Sequence, residues 1–192
     1  DAAIKTFEKV IADEAAAKKF KFLETTYYNL GIAQYSLAQS GTAGMFQKSA
    51  TTFATLVKNF PKGSFADQAR YYQGEALYSV DKKKQAVAAY QALVTGFPKS
   101  QKRADGLYAL GVTQEELQDY AAAGKSYDIF LKEFARHDLV TEVRMRRAET
   151  FAQTGKPADA QKLFAQAAAV QGFAMADRAA CRQAACMLVL KQ

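Results

Sequence analysis

The stretch LVTGFPKS at 93–100 has a near twin, LVKNFPKG, at 56–63. Pro61 and Pro98 are 37 positions apart, and the same step aligns much of the chain. Phe60, Phe97 and Phe134 share one column, and Phe53, Tyr90, Tyr127 and Phe164 another. Val57, Val94 and Leu131 form a third column, and Leu56, Leu93 and Phe130 a fourth. Small residues follow the same step, with Gly74, Gly111 and Ala148 in one column and Ala86, Ala123 and Ala160 in another. A shift that preserves residue size in so many columns is an internal repeat. It restricts the chain to folds in which one supersecondary unit is stacked on copies of itself.

Each unit reads as two helices. Ala69, Tyr72, Ala76 and Leu77 recur at three- and four-residue steps. After the turn Val80-Asp81-Lys82-Lys83 a second set follows, Ala86, Val87, Tyr90, Leu93, Val94 and Phe97. Neither helix is long enough to bury its apolar stripe alone. Phe-Pro ends the second helix, because proline disfavours the helical conformation of the residue before it. Ser64 or Ser100 is then expected to cap the next helix. In the fourth unit Thr154-Gly155-Lys156-Pro157 places glycine after one helix and proline at the start of the next. The small columns are expected where helices cross closely, Gly74 against Ala86 and Gly111 against Ala123, and Phe97 is expected to be buried at the seam between pairs.

The period sets the domain plan, a single array over 1–192. It comprises a half repeat at 1–20, helix pairs at 21–63, 64–100, 101–137 and 138–173, and a terminal helix at 174–192, ten helices in all. Ala3, Ile4, Phe7, Val10 and Ile11 match the pattern of a second helix, and Ala185 falls in the Gly74 column. In the first pair Gly31 to Ser49 spans six residues more than Gly74 to Ala86, so the turn around Gln39-Ser40-Gly41-Thr42 carries an insertion. With a half-pair at each end and no initiating methionine, the chain reads as a window cut from a longer array. DAAIKTFEKV shows no signal-peptide pattern, and no apolar run approaches the ~20 residues of a membrane helix.

Composition agrees with an all-helical chain: three prolines, eleven glycines and no tryptophan leave few breakers. The net charge of +7 raises the question of a polyanion partner. Its basic residues are scattered, with short clusters at Lys18-Lys19-Lys21, Lys82-Lys83-Lys84 and Arg144-Arg146-Arg147 and no basic arm. Nucleic acid is therefore not the expected partner. Cys181 and Cys186 lie five apart, which points the thiols in different directions and predicts small core hydrophobes rather than a disulfide. The single histidine, His137, reads as a loop residue with no partner for metal binding or proton transfer. Glu115, Glu116 and Asp119 read as solvated or capping carboxylates, and neither a phosphate loop nor a CxxC occurs. No enzyme activity and no cofactor are expected.

Tyr27-Tyr28-Asn29-Leu30-Gly31, then Gly74, Ala86, Tyr90 and Pro98, then Leu110, Gly111, Asp119, Tyr120, Ala123 and Tyr127 resemble the tetratricopeptide repeat. The period is 37 rather than the family's ~34. The resemblance implies an all-α, right-handed superhelical solenoid of stacked antiparallel helix pairs. It also implies a protein-interaction scaffold whose first helices line a concave groove. Carried over position by position, the implied partner-binding residues are Tyr28, Tyr35, Tyr71, Glu75, Tyr78, Tyr108, Glu115, Met145 and Glu149, with packing of helix on helix as the other role open to the tyrosines. With Glu142, the glutamates would make this groove acidic and suit a ligand with positive charge. The lysine/asparagine clamp by which some members hold a C-terminal carboxylate is absent, since Tyr28, Ile32 and Gln68 stand there. The connector and the longer unit resemble bacterial envelope members, which implies the periplasm or cell envelope, or else the cytoplasm, of a bacterium. Two other readings are a nucleic-acid-binding solenoid using the arginine and lysine clusters, and a structural array that self-associates through its ends.

Overall fold

The computed structural model describes residues 2–13 and 22–191. Among them are ten α-helices and no strand. They are α1 (Ala2–Ala12), α2 (Leu23–Gln39), α3 (Met45–Asn59), α4 (Ala66–Ser79), α5 (Lys83–Gly96), α6 (Arg103–Glu116), α7 (Tyr120–Glu133), α8 (Val140–Gln153), α9 (Pro157–Ala168) and α10 (Ala176–Val189). The Lys18-Lys19-Lys21 cluster lies outside the described residues. The chain forms two compact units, Asp1–Gly106 and Leu107–Gln192, and the boundary falls within α6.

In the first unit each helix from α1 to α5 packs on the next, and the first helices α2 and α4 also touch. Phe53, Leu56, Val57 and Ala69 form a core closed by Tyr27, Tyr28, Ile32, Phe65 and Tyr72. In the second unit α8, α9 and α10 pack in succession around Met145, Ala148, Ala160, Phe164, Ala167, Ala179 and Cys186. The aromatic column is the repeated centre of both units, since Phe53, Tyr90, Tyr127 and Phe164 are all fully buried.

The glycine column has a different neighbour from the one expected. A Cβ on Gly74 would lie 2.4 Å from the Tyr90 ring and one on Gly111 2.3 Å from the Tyr127 ring. Glycine therefore makes room for the aromatic ring of its own pair, not for the Ala86 or Ala123 backbone. A polar pair recurs beside it in alternate units. Thr52 donates to Gln34 and Ser126 to Gln114, both at 2.7 Å and both buried. The equivalent positions of the second pair carry Leu77 and Ala89.

All three helices that run into the Phe column stop at the residue before it, whether or not proline follows. In each, the third residue after the phenylalanine donates its N–H back to the Phe carbonyl, Gly63 to Phe60, Ser100 to Phe97 and His137 to Phe134. Phe60, Phe97 and Phe134 are only half-buried, less than expected for a seam residue. Ser64 does not cap α4. Glu24 reaches from α2 instead and accepts from the Phe65 N–H at 2.7 Å, in space left by Gly63. Ser100 accepts from the Lys102 N–H at 3.0 Å and donates to Asp67 at 2.6 Å. His137 is not a bare loop residue: its ring meets Phe130 and Phe134 edge-on at 5.4 and 6.4 Å. Its Nδ1 accepts from the Leu139 N–H at 3.2 Å.

The turn inside each later pair passes through a left-handed residue at one column, Asp81 (φ 58°), Gln118 (φ 61°) and Gly155 (φ 72°). The inserted turn of the first pair uses Gly41 and Gly44 at positive φ instead. Both cysteines are free, Cys181 exposed and Cys186 buried.

Candidate functional site

The expected binding positions lie on the first helices, and packing sorts them. In the first unit Tyr28 stacks on Phe65 at 4.5 Å and donates its hydroxyl to Gln68 at 2.7 Å. Tyr35 sits edge-on to Phe46 and Tyr72 at 5.3 and 5.6 Å. Tyr71 meets Tyr72 at 5.3 Å, and the Lys102 ammonium lies over its face at 4.9 Å, held by Asp105 at 2.9 Å. Tyr78 is half-buried on α4. Glu75 accepts the Tyr90 hydroxyl at 2.5 Å. Burial raises the Glu75 pKa, that hydrogen bond opposes the rise, and Asp105 adds to it. Burial and the neighbouring carboxylate likewise push the Tyr71 and Tyr90 hydroxyls well above the ordinary tyrosine value. The hydroxyls of Tyr35 and Tyr71 make no hydrogen bond within the described residues.

In the second unit the acidic positions are engaged by arginine. Tyr108 donates to Glu142 at 2.6 Å. Arg146 donates to Glu142 and to Glu115, both at 3.0 Å, and lies 5.5 Å over the Tyr108 ring. Tyr127 donates to the same Glu115 at 2.9 Å. Glu115 has a raised pKa, because burial outweighs the Tyr127 and Arg146 contacts. Burial works against the Arg146 charge, but the surrounding tyrosines and carboxylates hold its pKa above the ordinary arginine value. Arg182 closes a fork on Glu149 with Nε at 3.0 and 3.1 Å from the two oxygens, and Arg178 approaches at 4.0 Å. The acidic positions inferred from sequence are therefore charge-balanced in this unit, where Glu115, Glu142 and Glu149 each face an arginine.

Three expected residues come together. Glu115, Met145 and Glu149 line one pocket of about 160 Å3 with Arg146, Met175 and Arg178. These residues come from α6, α8 and α10 and the residue just before it, the first helices of two successive pairs and the terminal helix. Met145 itself is 3% exposed and is a pocket floor rather than an outward contact. Arg146 and Arg147, read from sequence as a basic cluster, are both engaged. Arg147 binds Asp128 through two nitrogens at 2.7 and 2.9 Å and stacks on Phe151. Met175, Arg178 and Arg182 were missed. Arg182 stands 37 positions after Met145, so the repeat step already placed it on the same face.

Among the described residues no group of three His, Cys, Asp or Glu side chains is placed to hold a metal ion. No described helix is long and apolar enough to cross a membrane. Stacked helix pairs with side chains converging from successive first helices define a helical-repeat protein. The tetratricopeptide repeat family model matches residues 25–63, 68–100 and 105–137, more than half of the chain, and the chain belongs to that family. Solved structures agree on the fold. BtubC from P. vanneervenii superposes with a TM-score of 0.66 at 14% identity, covering 99% of this chain and 81% of that one. The kinesin-light-chain-type repeat protein of Podosopora anserina gives 0.62 at 13% identity, covering 83% and 86%. MamA of Desulfovibrio magneticus RS-1 gives 0.59 at 16% identity, covering 87% and 94%. No curated protein matches the chain.

Proposed function

We propose that the protein is a non-enzymatic scaffold that binds a segment of a partner protein along the exposed face of its first helices. The observation that carries this is the pocket in the second unit, where charged and thioether side chains from three successive first helices converge. Its two carboxylates and two guanidinium groups are already balanced, so it favours a neutral polar side chain of the partner over a strongly charged one. Methionine at its floor and rim adapts to side chains of different shape. In the first unit Tyr35 and Tyr71 are half-buried rings whose hydroxyls are left for a partner, the combination that lets tyrosine bury area and still hydrogen-bond.

Binding partners recovered from native lysate should be compared for the wild type, Met175→Trp, which fills the pocket, and Arg178→Glu at its exposed rim. Both variants are expected to lose the partner with the helical content unchanged. Retention by both variants would refute the assignment. Loss of the partner on nuclease treatment would favour nucleic acid instead.

A further inference from the structure

The second helices of the first unit differ in charge from those of the second. α3 carries Lys48 and Lys58 and α5 carries Lys83 and Lys84, and neither contains Asp or Glu. In the second unit α7 balances Lys125 and Lys132 with Asp128 and Glu133, and α9 balances Lys162 with Asp159. Lys83 pairs with Asp81 at 3.2 Å, while Lys48, Lys58 and Lys84 are exposed.

A groove of about 390 Å3 lies between α3 and α5, over Arg70, Gln73 and Leu77 of α4, and none of the tyrosines described above lines it. Its floor is mostly alanine, with Ala50 and Ala54 of α3 and Ala89 of α5 beside Leu77 of α4, and exposed Ala88 stands at the rim. Its polar lining is Thr51 and three amides, Gln47, Gln73 and Gln85, and its one charged residue is Arg70. Lys82 adds a second positive charge at the rim by donating to Gln47.

Arg70 is half-buried and its hydrogen bond is to Gln73 Oε1 at 3.3 Å. No carboxylate pairs with it among the described residues, whereas Arg146, Arg147 and Arg182 each face one. Burial alone acts on its pKa, and lowers it. A guanidinium that is partly desolvated and left with one weak neutral acceptor is poised for an external anion, and its planar fork suits a carboxylate.

We propose that this groove binds an acidic segment of a partner protein, with one carboxylate paired to Arg70 and small side chains lying on the alanine floor. The exposed lysines of α3 and α5 supply the longer-range attraction. The groove contains no ring on which a base would stack and only one guanidinium. Nucleic acid is bound by rows of cations and aromatic platforms, which makes it the poorer fit.

The test is fluorescence polarisation on the whole chain with a short rhodamine-labelled peptide alternating glutamate and alanine. The same peptide with lysine for glutamate and a single-stranded oligonucleotide serve as comparisons. The glutamate peptide is expected to bind saturably and more weakly as salt rises. Arg70→Gln should reduce its affinity by about tenfold or more, as loss of a charge-assisted hydrogen bond requires. Arg70→Lys should retain part of it. Gln85→Glu, an exposed rim change that leaves the fold intact, should weaken it by like-charge repulsion. Met175→Trp in the second unit should leave it unchanged, which separates this groove from the first-helix pocket. The proposal is overturned if the glutamate peptide fails to bind, if the lysine peptide binds as well, if the oligonucleotide displaces it, or if Arg70→Gln and Gln85→Glu both bind like the wild type.

Discussion

Gly111→Ala offers a direct measure of how tightly the repeat is packed. The new Cβ would stand 2.3, 2.7 and 2.8 Å from Cε1, Cζ and Cδ1 of Tyr127. Carbon atoms pack at about 3.5–4.0 Å, so the ring has to retreat by about 1 Å. It has nowhere to go, because it is 0% exposed and its hydroxyl is held by Glu115 at 2.9 Å. Overpacking of this kind costs about 1–3 kcal/mol. Displacing a hydrogen bond to a charged acceptor adds about 1.5–3 kcal/mol if the bond is lost outright. Alanine's better helix propensity returns about 1 kcal/mol. The net expectation is a loss of about 2–4 kcal/mol, a drop of roughly 1–2 M in the urea midpoint followed by far-ultraviolet circular dichroism. Tyr127→Leu should relieve part of the damage, so the double variant loses at least about 1 kcal/mol less than the two single losses combined. The fourth pair already carries this kind of compensation, with Ala148 in the glycine column and Phe164, which has no hydroxyl to hold, in the aromatic one. A Gly111→Ala protein within about 0.5 kcal/mol of wild type, or strict additivity in the cycle, would refute the packing argument.

Other perturbations report on separate features. Arg146→Met leaves Glu115 and Glu142 facing each other without their shared cation, and is expected to cost about 1–3 kcal/mol by urea unfolding, the solvent at the partly exposed pair limiting the loss. Glu75 has a folded pKa above its ordinary 4.5. Its contribution is therefore fully present below 4.5 and declines as pH rises through the raised folded value. The stability of wild type relative to Glu75→Gln should thus fall with rising pH across that window, and a flat difference would contradict it. Gln118→Gly, at an exposed left-handed position (φ 61°), should stabilise the chain by about 0.5–1 kcal/mol in the same assay. Ellman's reagent should titrate exposed Cys181 quickly and Cys186 only on unfolding, since Cys186 is 6% exposed and burial raises its thiol pKa.

The repeat step was legible because each pair asks the same residue sizes of the same columns. The buried ring at Phe53, Tyr90, Tyr127 and Phe164 and the small residue beside it are local requirements of one helix pair, and a 37-residue shift exposes them. The ends of α3 and α5 before Phe-Pro, the glycine following α8 and the proline opening α9 followed from backbone chemistry in the same way. The left-handed Asp81 and Gln118 in the Gly155 column did not, because aspartate tolerates a left-handed φ without requiring it and glutamine carries no such signal.

The state of the binding face was a different matter. Sequence placed Tyr28, Glu75, Glu115 and Glu149 on the first helices, but not what they touch. Those contacts span 15 to 40 positions: Tyr28 with Gln68, Glu75 with Tyr90, Glu115 with Arg146 and Glu149 with Arg182. A glutamate on a helix face reads as a free charge until packing brings a particular arginine within 3 Å, and the same packing left Arg70 without one. Periodicity determined which side chains share a surface, since that depends only on the geometry of a helix pair. Which glutamates meet an arginine was decided by stacking one pair on the next, because those ion pairs depend on distances between helices of different repeats.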